Sequence, residues 1–215
     1  MGANVTVAWE GEKIKNGKVC KYHITDMKVD EMGQVTGTGA DFSKGLFNLQ
    51  GTVNDQGMFQ YKKQYQQVAY NNQTIAIYQG TYTNGQIQGV YGAMGKSENF
   101  HVKLKDAIEF SISYSRPDVP QMLVTRAHIV IAKKALFGMG RDNNGFFVIS
   151  GQKVSDKAAK SAGHTKFNIS VVYGGKFKIQ LNAVMSETNK IRALKGTWTN
   201  PGLGASGTFD INQVT

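Results

Sequence analysis

The chain has 215 residues, a formal net charge of +10 and a sequence pI near 9.6. It contains no apolar run of the roughly 18 residues a membrane-crossing helix needs, so no such span is expected. A lone cysteine, Cys20, excludes an internal disulfide and points to an intracellular setting.

The predicted elements are all short strands. Val5, Val7 and Trp9 alternate, which predicts a first strand with one buried face. Residues 18–29 predict a second, and a turn at 30–33 leads to 34–39. Strands at 46–53 and 58–65 follow across Asn54-Asp55-Gln56-Gly57. Residues 73–83 and 87–92 flank Asn84-Gly85, the strongest hairpin signal in the chain, because both turn residues accept positive φ. Residues 99–104 close the first set. The second set is predicted at 107–114, 122–133, 136–142, 146–154, 166–173, 176–185, 191–198 and 206–214. The start, Met1-Gly2-Ala3-Asn4-Val5-Thr6, lacks the form of a signal peptide. It matches the loose N-myristoylation pattern, but a strand from Val5 would leave little arm for a lipid.

The two sets are copies. Gly37-Thr38-Gly39-Ala40-Asp41 recurs as Gly138-Met139-Gly140-Arg141-Asp142, an offset of 101 residues. The same offset carries Trp9 onto Phe110, Val29 onto Val130 and Val35 onto Leu136. Downstream, Phe47, Leu49 and Gly51 answer Phe147, Ile149 and Gly151, and Phe100-His101-Val102 answers Phe209-Asp210-Ile211. Apolar and glycine positions agree while polar ones vary. The fold class is therefore all-β: two tandem antiparallel eight-stranded barrel-like domains, 1–105 and 106–215, from an internal duplication. Gly37, Gly39, Gly138 and Gly140 mark tight bends or close backbone approach, and Asp41 and Asp142 cap the turns that follow. One element, the lysine-tyrosine run 62–65, has no evident counterpart in 166–173.

No motif completes a catalytic or metal site. The G-x-G-x-D glycines precede a strand, so they offer a pyrophosphate no helix N-terminus. Asp142-Asn143-Asn144-Gly145 starts like a calcium loop but lacks its later ligands. His23, His101, His128 and His164 are scattered, and only Cys20 stands near one of them. No metal, cofactor or enzymatic activity is expected. Met58, Met94, Met122, Met139 and Met185 could line a barrel that carries a small apolar ligand, an alternative to plain core filling. A site between the two domains is a further alternative.

Charge is the more coherent signal. Residues 1–105 carry 11 lysines against 8 acids (+3), and residues 106–215 carry 14 lysines and arginines against 7 acids (+7). Lys133, Lys134, Arg141, Lys153, Lys157, Lys160 and Lys166 are the candidate partner-binding residues. Several border or fill a long, small-residue loop at 155–166, where the first copy has only a tight turn. Phe137, Phe146, Phe147, Phe167 and Tyr173 share alternating positions with core residues, so they are not expected as stacking platforms for bases. An acidic protein surface therefore ranks above nucleic acid as the partner.

The terminal stretch Gly196-Thr197-Trp198-Thr199-Asn200, with Gly207-Thr208-Phe209, resembles the strand-turn-strand pattern of avidin- and lipocalin-type barrels. The whole repeat more resembles the tandem β-barrel modules of protist structural proteins, including components of ciliary axonemes. That resemblance implies a structural part of a cilium; with the charge split, the basic loop and the missing catalytic set, the expectation is a non-enzymatic protein docking on an acidic lattice such as tubulin. The resemblance rests on glycines and aromatics and carries over no site residue.

Overall fold

The computed structural model describes residues 9–66, 76–93, 96–116, 119–132, 134–174 and 176–215. The chain divides into two units, Met1–Asp106 and Ala107–Thr215. In the first, the strands are β1 (Trp9–Lys15), β2 (Lys18–Ile24), β3 (Lys28–Val29), β4 (Gln34–Asp41), β5 (Gly45–Val53), β6 (Met58–Tyr65), β7 (Ile77–Thr83), β8 (Gln86–Ala93) and β9 (Lys96–Leu104). They form one antiparallel sheet in the order β2-β1-β9-β8-β7-β6-β5-β4-β3, and a further pairing of β2 with β4 closes it. Because β2 and β3 lie along the same edge of β4, they act as one interrupted strand, and the ring has eight members. The second unit is a closed eight-stranded barrel of β10 (Ile108–Arg116), β11 (Val119–Ile131), β12 (Ala135–Asp142), β13 (Gly145–Val154), β14 (Thr165–Tyr173), β15 (Phe177–Thr188), β16 (Ile191–Asn200) and β17 (Ala205–Gln213). Among the described residues, no helix is long and apolar enough to cross a membrane.

Side-chain alternation fills the interiors. In the second barrel, Phe110, Ile112, Ala127, Ile129, Leu136, Phe147 and Ile149 are among the residues of one continuous buried cluster. Trp9 and Phe110, matched by the repeat, are both fully buried. Asn84 and Gly85 take φ of +48° and +82° and join β7 to β8, as their sequence requires.

The repeat motif has a packing rationale. Gly39 pairs across the sheet with Phe47, and Gly140 with Phe147. A Cβ on Gly39 would strike the Phe47 ring and the His23 carbonyl; one on Gly140 would strike the Phe147 ring and the Arg126 carbonyl. The glycine is absent of side chain so that the aromatic of the next strand can lie across it, the arrangement that lets a strand coil tightly enough to close a barrel. Gly140→Ala should therefore overpack the barrel and lower its stability by about 1–3 kcal/mol. Chemical denaturation checks this, and an unchanged midpoint refutes it.

Two expectations need correction, and one lies mostly beyond test. The strand predicted over Val5, Val7 and Trp9, like the acylation motif, falls outside the described residues except for Trp9, where the described strand Trp9–Lys15 begins. Its inward positions are Trp9, Gly11 and Lys13, and a glycine and a lysine hide the apolar alternation. The loop at 155–166 holds a helical turn, α1 (Lys157–Ser161), capped by the Asp156 carboxylate on the Ala159 amide at 2.9 Å. Finally, Val29 pairs with Val35, while Ile131 pairs with Leu136, so Ile131 rather than Val130 answers Val29.

Candidate functional site

The motif aspartates do two jobs with two oxygens. Oδ1 holds the turn: in Asp41 it accepts from the Ser43 amide (3.0 Å) and hydroxyl (2.7 Å), and in Asp142 from the Asn144 amide (2.7 Å). Oδ2 accepts from groups of the barrel wall. Asp142 Oδ2 takes the hydroxyls of Tyr114 (3.1 Å) and Tyr173 (2.6 Å). Asp41 Oδ2 takes the Lys13 ammonium (2.5 Å) and the Tyr65 hydroxyl (3.1 Å). The sheet register makes these pairs equivalent. Lys13 and Tyr114 face Phe100 and Phe209, and Tyr65 and Tyr173 face Phe47 and Phe147. The tyrosine of the 62–65 run therefore does have a counterpart, and its two lysines are lost, with Ser170 and Val171 in the places of Lys62 and Lys63.

Charge sets the two sites apart. Burial would raise the Asp41 carboxyl, but the hydrogen bonds from Lys13 and Ser43 outweigh it and hold it well below the usual carboxylate range. In the second barrel, burial and the neighbouring Asp142 carboxylate push the Tyr114 hydroxyl up to about 12, which keeps it a donor.

The first barrel then departs from the second at its centre. Lys63 stands opposite Leu49 as Val171 stands opposite Ile149. Its side-chain nitrogen is buried without a hydrogen-bond partner. It sits 2.9 Å from the centroid of the Tyr22 ring, 4.5 Å from that of Phe47 and 4.7 Å from that of Tyr78. Burial, and then the charge of Lys13, lower its pKa well below that of an ordinary lysine. The rings around it form a column: Tyr61 stacks on Tyr78 at 4.9 Å, and Tyr78 on Tyr91 at 5.1 Å. The second barrel has Thr125, Ile169 and Leu181 where the first has Tyr22, Tyr61 and Tyr78. Its interior keeps a cavity of about 60 Å³ lined by residues including Ile112, Phe147, Val171 and Trp198. Small-molecule sites run to about 300–1,000 Å³, so this space does not suit a carried ligand of that size. Of the methionines named for a lining, Met139 is buried, Met58 is half exposed and Met94 lies outside the described residues.

The predicted basic set is split by the fold. The Lys153 amide donates to the Lys134 carbonyl at 2.8 Å, which joins the β11–β12 and β13–β14 connections at one end of the second barrel. Lys157 and Lys160 are exposed on α1 at that end, on one face of the helix. The β15–β16 turn adds Lys190, which charge reading along the sequence passed over. Lys166 is paired with Asp156 at 2.5 Å, and Arg192 with Glu187 at 3.0 Å. Arg141 lies at the opposite end of β12, level with Arg126 and Phe146. Lys133 lies outside the described residues. Phe137, Phe146, Phe147, Phe167 and Tyr173 are all buried. Among the described residues, no group of three or more His, Cys, Asp or Glu is placed to hold a metal.

No family model matches the chain. No curated protein matches it either. Solved structures that align with it are β-barrel proteins. One is a candidate outer membrane protein of Bacteroides fragilis, 11% identical over 98% of each chain, with a TM-score of 0.35. Another is the Burkholderia oklahomensis agglutinin, 10% identical over 99% of this chain and 97% of that one, with a TM-score of 0.26. A third is the Myxococcus xanthus hemagglutinin, 12% identical over 96% and 100%, with a TM-score of 0.29. At these scores the likeness identifies neither a relative nor a function.

Proposed function

We propose that this chain is a non-enzymatic interaction protein that docks on an acidic protein lattice through the lysine-bearing end of its second barrel. The observation that carries this reading is the gathering of Lys134, Lys153, Lys157, Lys160 and Lys190 around the strand connections at one end. Asp156 and Glu187, beside them in the sequence, are already engaged by Lys166 and Arg192. Clustered ammonium groups with little local counter-charge attract an acidic surface and raise the rate of encounter with it. Tubulin in a ciliary microtubule is the lattice that the repeat's resemblance suggests.

The test is co-sedimentation with microtubules across a salt series. The variant carries Lys153→Gln, Lys157→Gln and Lys160→Gln together and keeps Lys166, whose bond to Asp156 holds the cap of α1. Exposed substitutions of this kind change stability by about 0.5 kcal/mol or less, so the fold is retained. The expected result is salt-sensitive binding that weakens at least about tenfold in the variant, since surface charges are screened beyond about 8 Å at physiological ionic strength. Binding that the variant retains, or no binding at low salt, overturns the proposal.

A further inference from the structure

The second barrel shows what this fold requires inside, and an amine is not part of it. Val171 fills the place of Lys63, and Tyr114 meets the motif aspartate in the place of Lys13. In the first barrel, three lysines surround one carboxylate. Lys13 and Lys63 lie over the same Tyr22 ring, at 5.9 and 2.9 Å from its centroid. Lys44, in the β4–β5 turn, lies 5.1 Å from the centroid of the Tyr65 ring, and Tyr65 itself donates to Asp41.

Asp41 has no lone pair left for Lys63. It already accepts from Lys13, Tyr65 and Ser43. The charged groups acting on Lys63 besides Asp41 are Lys13 and Lys44, and the tyrosines of the column, Tyr22, Tyr61, Tyr78 and Tyr91, remain donors because burial raises each of them. A second carboxylate at this end, Glu98, accepts from the Tyr91 hydroxyl at 2.6 Å and from the Asn16 amide at 2.7 Å, while the Lys63 nitrogen itself has no hydrogen-bond partner.

We propose that the Asp41 end of the first barrel binds an oxyanion, a phosphate or carboxylate group, among Lys13, Lys44 and Lys63, and that Lys63 takes up a proton as it binds. Lys63 is one inward position from Tyr65 on β6, which points toward that end. Its flexible four-carbon stem allows the nitrogen to leave the rings and meet the anion. Without an anion, burial and the charges of Lys13 and Lys44 disfavour the ammonium form, and Asp41 only partly offsets them. With one, the ammonium form gains the partner it lacks.

The test uses the full chain with isotope-labelled lysine, followed by NMR at the carbon beside each side-chain nitrogen. The Lys63 signal is the one lost in Lys63→Met. Inorganic phosphate, acetate and chloride are titrated at one mildly alkaline pH and matched ionic strength. The expected result is a neutral-amine signal that moves, saturably, to the ammonium position with phosphate or acetate. Movement with one and not the other identifies which oxyanion the site takes. Heat denaturation should show stabilisation by the same anion, lost in Lys63→Met and kept in the Lys153, Lys157 and Lys160 variant. That last comparison separates this site from the lattice-docking end. A signal already at the ammonium position without anion, a response that chloride reproduces, or no response at tens of millimolar overturns the proposal.

Discussion

Asp41→Ala is expected to destabilise the first barrel by about 3–5 kcal/mol, because it leaves the buried Lys13 ammonium without its counter-ion. The matched change Asp142→Ala removes the acceptor of two neutral hydroxyls and should cost the second barrel about 1–3 kcal/mol. Hydrogen exchange read on peptides from each barrel separates the two effects. The double variant Lys13→Met/Asp41→Leu should recover most of the loss, since apolar residues of similar volume can replace a buried ion pair. The pH dependence follows from the sign of the shift. The Asp41 carboxyl is depressed in the folded protein, so its contribution is present above the unfolded value of about 3.9 and fades as the pH falls below it. The deficit of Asp41→Ala relative to the parent chain should therefore narrow in acid. A cost no greater than that of Asp142→Ala, or a deficit that widens in acid, contradicts this account.

The repeat was legible because closing a barrel constrains glycines and aromatics together. Gly39 with Phe47 and Gly140 with Phe147 must keep their spacing for the ring to lie across the bare strand, and the sequence preserves it in both copies. The turn role of the two aspartates could also be read from their place before a glycine. Their second oxygen could not, since its donors are 28 residues away at Lys13 and Tyr114, on strands that only the closed sheet brings round. Lys13 and Lys63 were hidden for a further reason. Charge in a strand reads as a solvent-facing position, and the apolar alternation that would mark it as inward is interrupted by Gly11, Lys13 and Lys63 themselves. The basic end was partly legible because its residues are close in the chain. Arg141 was grouped with it by proximity in sequence, but β12 runs the length of the barrel and carries Arg141 to the far end.

Lys63→Met should stabilise the first barrel at neutral pH by about 1–3 kcal/mol, the usual cost of a buried polar group without a hydrogen-bond partner. Methionine has a similar length, fills irregular space and packs well against the faces and edges of Tyr22, Phe47 and Tyr78. The shift again fixes the pH trend. The folded amine has a depressed pKa, so below the unfolded value of about 10.4 the unfolded chain holds the proton more tightly than the folded one. The parent chain is thus penalised at neutral pH, and the penalty shrinks as the pH approaches that value. Denaturation midpoints of the two proteins should converge in alkaline solution. A lysine whose removal strengthens the fold, at a place where the sister barrel uses valine, is kept for something other than stability. A variant less stable than the parent chain would instead make Lys63 part of the packing and leave the tyrosine column as an ordinary core.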